Sequence, residues 1–544
     1  MKKLLLFIFI ISTQLASKSQ NCNWAIHSTN TYFNQITSIT TDLNDDIYYT
    51  GYFSSDSIVI GNEVLYKLTG GAHEFYIVKT SSNGNVLWAR TAPGDNYDWG
   101  TSIKTDLNGN VYVSGLYMSS TLTFGNTILN NAGTGTTFDS FLVKYDSNGN
   151  VIWARTMAGT NNDYTHEMSI DPAGNVYISG YSQSSALDFG NNTITKTGNQ
   201  SAIYIVKYDP TGTDLWAQFS SGNSDDYGTG ITNDNLGNIY LTGKFSSSSI
   251  TFGSTTLIGN NVEAMLLVKF DSNGNEIWGI SKNDAIGYSV CTDINNNVYI
   301  TGAFESTLIL DTIQLVSNGY SDSFFAKYDS TGQVQWARSF GSTLEDQATE
   351  IKLDNNGDIY LAGSFTSNNI IFNTSTLTNN GMTDMFIIKS DSNGDEIWAK
   401  SYGGSDDDNL FGLTCDQNRN AYITADFKST TITLDTITLS LFNPGNIDAF
   451  VAKINGGLTS VQNLQNEISL TVYPNPTTGK LKIMTDVKGE YDITIYNSLG
   501  KMAYYKKDVF GEIEIDLVGN FKGLYFYQIG LQDVFLRTGK IVLE

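Results

Sequence analysis

The sequence predicts an all-β chain: a seven-bladed β-propeller closed by an N-terminal strand, followed by a small Ig-like β-sandwich. Three observations predict it. A unit of about 60 residues recurs seven times, and each copy reads as β-branched and aromatic runs separated by Gly, Asn and Asp turns. An orphan copy of the unit's last strand stands near the N-terminus, where it completes the seventh unit. Four strands per repeat, arranged radially, is the propeller plan.

Residues 1–19 read as a signal peptide. Lys2 and Lys3 precede the apolar run Leu4 to Ile11, and Ala16, Ser17 and Ser19 suit cleavage before about Gln20. The run is too short to span a bilayer, and no later stretch reaches the ~18 apolar residues that a span requires. Cys22 follows Ser19-Gln20-Asn21 rather than a small-residue box, so lipidation is not expected.

The repeats fill residues 20–455. Asp and Tyr six positions apart recur at Asp42/Tyr48, Asp106/Tyr112, Asp171/Tyr177, Asp234/Tyr240, Asp293/Tyr299, Asp354/Tyr360 and Asp416/Tyr422. Each copy carries a Lys, from Lys79 to Lys453, and six end on a Trp, from Trp88 to Trp398. An apolar residue three before each Asp (Ile39, Ile103, Met168, Ile231, Val290, Ile351, Leu413) is expected to face the core between blades. The seventh copy stops at Phe450 to Ile454 without its Trp strand, and Trp24-Ala-Ile26 supplies it. Closure by that strand removes the exposed edges an open array would leave.

Such repeats, typified by Asp171-Pro-Ala-Gly-Asn-Val-Tyr-Ile-Ser-Gly180, resemble the seven-bladed bacterial β-propeller repeat family, SBBP. That resemblance implies an extracellular architecture more than an activity.

Residues 456–467 read as a linker, and 468–544 as a separate domain. The tail carries nine basic and nine acidic residues, whereas residues 20–467 hold 19 basic and 46 acidic, so the whole chain's net charge of −24 originates in the propeller. The set Val472-Tyr-Pro-Asn-Pro476, Tyr491 to Tyr496, Gly523-Leu-Tyr-Phe-Tyr527 and Lys540 to Glu544 resembles the type A C-terminal sorting domain of the type IX secretion system. The resemblance implies the secretion machinery as partner, export through the periplasm, and secretion or attachment at the outer surface after removal of the domain. Pro474, Asn475, Pro476, Gly523, Leu524, Tyr525 and Lys540 would carry the sorting signature, with Pro-Asn-Pro as a rigid turn at the domain entrance.

Composition excludes several functions. With 40% hydrophobic residues and six Pro the chain is neither disordered nor collagen-like, and its acidity argues against nucleic acid as partner. Three Cys cannot form a disulfide framework; Cys291 and Cys415 read as buried thiols, and Cys22 as partly exposed. His27, His73 and His166 are too dispersed for a zinc site. Arg90, Arg155 and Arg338 follow the outer Trp, far from where a sialidase-like site would grip a carboxylate. The Asp-Ser-Asn-Gly-Asn turns at 146–150 and 271–275 are explained by hairpin chemistry; no cofactor is expected, with calcium the alternative. Each repeated Lys is expected to pair with a carboxylate inside its blade.

One constellation remains. Eight residues before the repeated Asp lie Asp98, Asp163, Asp226, Asp346 and Asp408, with Asn34 and Ala285 in the other two copies. They fall in loops on the face that also carries the long connection between second and third strands, Ser119 to Phe138 in blade two. That face is the candidate binding face, and the five carboxylates are the candidate ligand set, scaffolding by hydrogen bonds being their other role. The function expected is a non-enzymatic binding or scaffold protein for an extracellular glycan or protein. The alternative is a polysaccharide hydrolase or lyase using paired carboxylates.

Overall fold

The computed structural model describes residues 20–456 and 470–544, apart from 30–31, 68–69, 134, 199, 486–490, 498–500 and 532–533. The expected leader and the linker from residue 457 lie outside the described residues. Among the described residues two compact units are present, 20–456 and 470–544.

In the first unit each blade is a four-stranded antiparallel meander, shown here by blade two: Asp98–Thr105, Val111–Tyr117, Asp139–Tyr145 and Val151–Met157. The seventh blade takes Asp408–Cys415, Ala421–Phe427 and Asp448–Ile454 from the end of the array, and Cys22–Thr29 as its fourth strand. The register is that of the other blades: Trp24 faces Lys453, just as Trp88 faces Lys79 and Trp153 faces Lys144. The first strands pack against one another around the centre, and each carries a one-residue bulge at a fixed place, between Gly100 and Ser102 in blade two.

The apolar core lies between blades. Tyr48, Ile77 and Trp88 of blade one pack with Ile103, Val111 and Phe141 of blade two in one cluster. The seven residues three before each repeated Asp are all buried, at 0–5% exposure. First-turn geometry follows from the Asp itself: Asp106 Oδ1 accepts from the backbone N–H of Asn108 and Asn110, both at 2.9 Å, while Gly109 takes φ +77°. Where the glycine is missing, Asp45, Asn296 and Arg419 occupy the left-handed region instead.

The connection between second and third strands is more regular than the sequence reading allowed. In blade two it forms a hairpin, Thr121–Phe124 with Thr127–Asn130, which buries Leu122, Phe124 and Leu129. Equivalent hairpins recur in all seven blades. Several reach back to the preceding blade: Ser28 pairs with Ile60, Ala158 with Asp188 and Ser221 with Thr251. These hairpins therefore fasten neighbours together rather than hanging free.

The second unit is a β-sandwich. A three-stranded sheet (Leu470–Tyr473, Lys480–Thr485, Ile513–Asp516) and a four-stranded sheet (Met502–Val509, Tyr491–Asn497, Gly523–Leu531, Val534–Leu543) enclose Leu481, Ile483, Ile493, Ile495, Ile515 and Ile541.

Candidate binding site at the channel mouth

The repeated polar residues build the seams between blades. Each Lys ammonium lies 4.7–5.0 Å above the ring of its blade's repeated Tyr. In five blades the Lys lies within 4.0 Å of the repeated Asp: Lys389 reaches Asp354 at 2.9 Å, Lys453 Asp416 at 3.5 Å, Lys144 Asp106 at 3.7 Å, and Lys79 and Lys327 reach Asp42 and Asp293 at 3.8 Å, Lys79 lying closer to Asp46 at 2.9 Å. Lys and Trp then share one acceptor in the next blade. Lys207 and Trp216 Nε1 both donate to Ser272 O, at 3.0 and 3.2 Å, and Lys269 and Trp278 repeat this on Ser330 O. At the closure Trp24 and Lys453 donate to Ser82 O. Arg90, Arg155 and Arg338 stack on their Trp rings and bond the following blade's turn.

The five candidate carboxylates open the first strands rather than lying in loops, and all are fully buried. Each accepts from a serine hydroxyl 21 residues on: Ser119 to Asp98 at 2.5 Å, Ser184 to Asp163 at 2.9 Å, Ser247 to Asp226 at 2.9 Å, and Ser367 to Asp346 and Ser429 to Asp408 at 2.8 Å. Burial pushes Asp98 and Asp163 up to about 7 and Asp226 to about 6, and raises Asp346 and Asp408. A second set of acids, absent from the sequence reading, opens the third strands: Glu74, Asp139, Asp322, Asp384 and Asp448. Burial first, then the like charge of Asp163, brings Asp139 to about 7; Asp384 reaches about 6 by burial beside Asp408. Four of these acids stand 24 residues before one of the repeated acids, a spacing visible in the sequence.

The channel wall holds ion pairs. Lys104 meets Glu167 at 2.5 Å and Lys352 meets Glu350 at 2.9 Å, and a cavity between first strands is lined by Lys104, Glu167, Ser169, Thr232, Cys291 and Lys352. Cys22, expected to be partly exposed, is buried against the seventh blade, and burial pushes its thiol up to about 12. Among the described residues no group of three or more His, Cys, Asp or Glu is arranged to hold a metal ion, and no helix is long and apolar enough to cross a membrane.

Next to the buried acids the blades stop being alike. The residue after each acid, or after its replacement, is Gln35, Trp99, Tyr164, Tyr227, Ile286, Gln347 or Asn409 in chain order. On blades two to four these residues join neighbouring rings, including Tyr52 from the second strand of blade one, into one aromatic arc. Centroids are 5.6 Å apart for Tyr52–Trp99, 4.9 Å for Trp99–Phe138, 5.7 Å for Phe138–Tyr164, 4.8 Å for Tyr164–Tyr181 and 4.5 Å for Tyr181–Tyr227. His73 stacks on Tyr52 at 4.5 Å, and burial together with Lys67 lowers it to about 4, so it is neutral. The other side is polar: Tyr52 OH donates to Gln35, whose amide donates to Asp426 at 3.3 Å, and Asn409 is cross-strand from Asp426.

In the tail, the signature residues lie on two elements that meet. Asn475 spans to the last strand, donating from Nδ2 to Lys540 O at 2.7 Å and accepting from Val542 N at 2.8 Å. Pro474 and Pro476 flank it in a bend, and Gly523, Leu524 and Tyr525 pair with Leu543, Val542 and Ile541. Tyr525 is buried, and its OH donates to Phe521 O at 2.7 Å.

Comparison with known proteins gives the following. Residues 152–188 and 216–244 match the beta-propeller repeat family, and residues 471–544 match the secretion system C-terminal sorting domain. An uncharacterized WD repeat-containing protein of Acanthamoeba polyphaga mimivirus is 23% identical over 527 residues, covering 79% of this chain and 38% of that protein. The regulatory protein FlaEY of Caulobacter vibrioides is 24% identical over 402 residues, covering 69% of this chain and 40% of that protein. The chain thus spans about two fifths of the length of these curated relatives. Among solved structures, PorZ, a surface component of the type-IX secretion system of Porphyromonas gingivalis, is similar at TM-score 0.24 and 10% identity, covering 94% of this chain and 82% of that one. The WD40 β-propeller domain of Doa1 is similar at TM-score 0.38 and 9% identity, covering 81% and 97%. The tail marks the chain for type IX export to the cell surface or the medium. The fold is a β-propeller, two stretches of which match the beta-propeller repeat family, followed by a tail that matches the secretion system C-terminal sorting domain.

Proposed function

We propose that this protein passes through the periplasm, loses its tail at the outer surface, and acts there as a rigid, non-enzymatic ring that binds an extracellular glycan or protein at one channel mouth. One observation carries the reading. Every repeated polar group (Asp, Lys, Tyr, Trp and the acid–serine pair) is engaged in holding the ring together, whereas the mouth residues differ from blade to blade. Repeats that agree on structure and diverge at one rim place selectable chemistry at that rim. The five buried carboxylates support this ring from beneath, with their oxygens occupied by serines.

The test is retention. Fluorescently labelled mature protein is added to cells that lack it, and its saturable retention on the cell surface or surrounding matrix is measured. Retention that saturates, and is competed by unlabelled protein, is the expected result. Non-saturating or absent retention refutes the binding role.

A further inference from the structure

We propose that the aromatic arc over blades one to four is a stacking platform for a neutral polysaccharide chain, with the polar rim of blades six, seven and one bonding its hydroxyls. This rests on the binding reading above and names the ligand class for it.

The arc is built and not incidental. Trp99, Tyr164 and Tyr227 each follow a buried acid that fixes the start of its strand, and Tyr181 is the cross-strand partner of Tyr164. The rings pack on one another, Tyr164 and Tyr181 stacked at 23° between planes, Tyr181 and Tyr227 edge-on at 85° and the other pairs tilted at 42–49°, so each has lost freedom before any ligand arrives. Preorganisation of this kind lowers the cost of binding. Tyr52, Trp99, Phe138, Tyr164, Tyr181 and Tyr227 are all half-buried, so each keeps part of its ring open. Tyr and Trp combine an apolar body with a polar tip, which suits a ligand having both C–H faces and hydroxyls.

Electrostatics selects among ligands that stack on aromatics. A single-stranded nucleic acid also stacks, but requires a basic groove to hold its phosphates. Here residues 20–467 carry 46 acidic against 19 basic residues. Lys244, 5.8 Å over the Tyr227 ring, is neutralised by Glu263 at 2.7 Å. A uronate-bearing glycan meets the same repulsion. A single cation would require rings closing on one point, whereas these run in file across four blades. A neutral chain of pyranose rings presents C–H faces along one side and hydroxyls along the other, matching the arc and the Gln35, Gln347 and Asn409 rim.

The experiment uses the mature protein and hexamers of neutral sugars (β-glucan, β-xylan, mannan and N-acetylglucosamine) beside an oligogalacturonate, read by calorimetry. Saturable binding of at least one neutral hexamer and none of the uronate is expected. Trp99→Ala weakens it at least about tenfold, whereas Trp99→Phe, which keeps a ring, stays within about threefold. Tyr164→Ala repeats the loss at a second ring, and circular dichroism with melting curves checks that each variant is folded. Binding left unchanged by both alanine variants, or stronger to the uronate, overturns the proposal. So does failure of every neutral hexamer while retention on cells persists; that outcome leaves the binding role standing with a different ligand. Loss of both cell retention and sugar binding removes the two together.

Discussion

Replacing Asp163 by Asn is expected to invert its effect on stability between acid and neutral pH. The carboxyl is fully buried, accepts from the Ser182 and Ser184 hydroxyls, and is raised from 3.8 to about 7 by burial. An acid raised on folding binds its proton more tightly in the native state. Its contribution is therefore fully present below about pH 4 and is lost as pH rises through about 7. At ~1.4 kcal/mol per unit, a shift of about three units amounts to about 4 kcal/mol lost across that window. Asparagine does not titrate, so the variant lacks this loss. At pH 4.5, where wild type holds its proton, the variant is expected to be about 1 kcal/mol less stable through poorer hydrogen bonding. By pH 7.5 it is expected to be the more stable chain. Asp139 enhances the effect, because the like charge that helps to raise it disappears with the substitution. The assay is urea unfolding at pH 4.5, 5.5, 6.5 and 7.5, with the stability difference plotted against pH. A difference that stays constant across the series refutes the reasoning.

Three other outcomes follow from the seams and the tail. Trp153→Phe keeps a ring in place but removes the Nε1 donation to Pro210 O, and should cost about 1 kcal/mol, against about 3–5 kcal/mol for Trp153→Ala, by chemical denaturation. Removing residues 20–28 takes away the fourth strand of blade seven, including the Trp24 contact with Tyr422; a loss of at least about 3 kcal/mol in unfolding stability and a rise in light scattering are expected. Removing residues 468–544 should leave a folded propeller inside the outer membrane, as read by cell fractionation and protease accessibility; normal surface delivery would refute the tail's role.

Much of the ring was legible because its grammar is written seven times. Trp24 could be assigned to blade seven since a strand without its Trp and a Trp without its blade stood at opposite ends of the array. The partner of each Lys was not legible: Asp106 and Lys144 are 38 positions apart, and only the sheet register brings them to one side of a blade. The acid–serine pairs were encoded as a constant spacing of 21 residues, but serine is too common in this chain for that spacing to stand out. The hairpins were hidden by their brevity, four residues per strand around turns such as Phe124-Gly-Asn-Thr127. The aromatic arc was invisible for the opposite reason. Trp99 and Tyr164 share a repeat position, but Phe138, which bridges them, stands in the connection before Asp139, so their proximity exists only once the ring is formed.

The closing strand also dictates the order in which the molecule can be finished. The Cys22 backbone N–H donates to the Asp435 carboxylate, 413 positions away, so the first strand of the array waits for the last blade. Until then both sides of the gap expose unpaired strand edges, and the slowest step of folding is the longest-range one. The ring can therefore close only once the whole array is available, whatever order the individual blades form in.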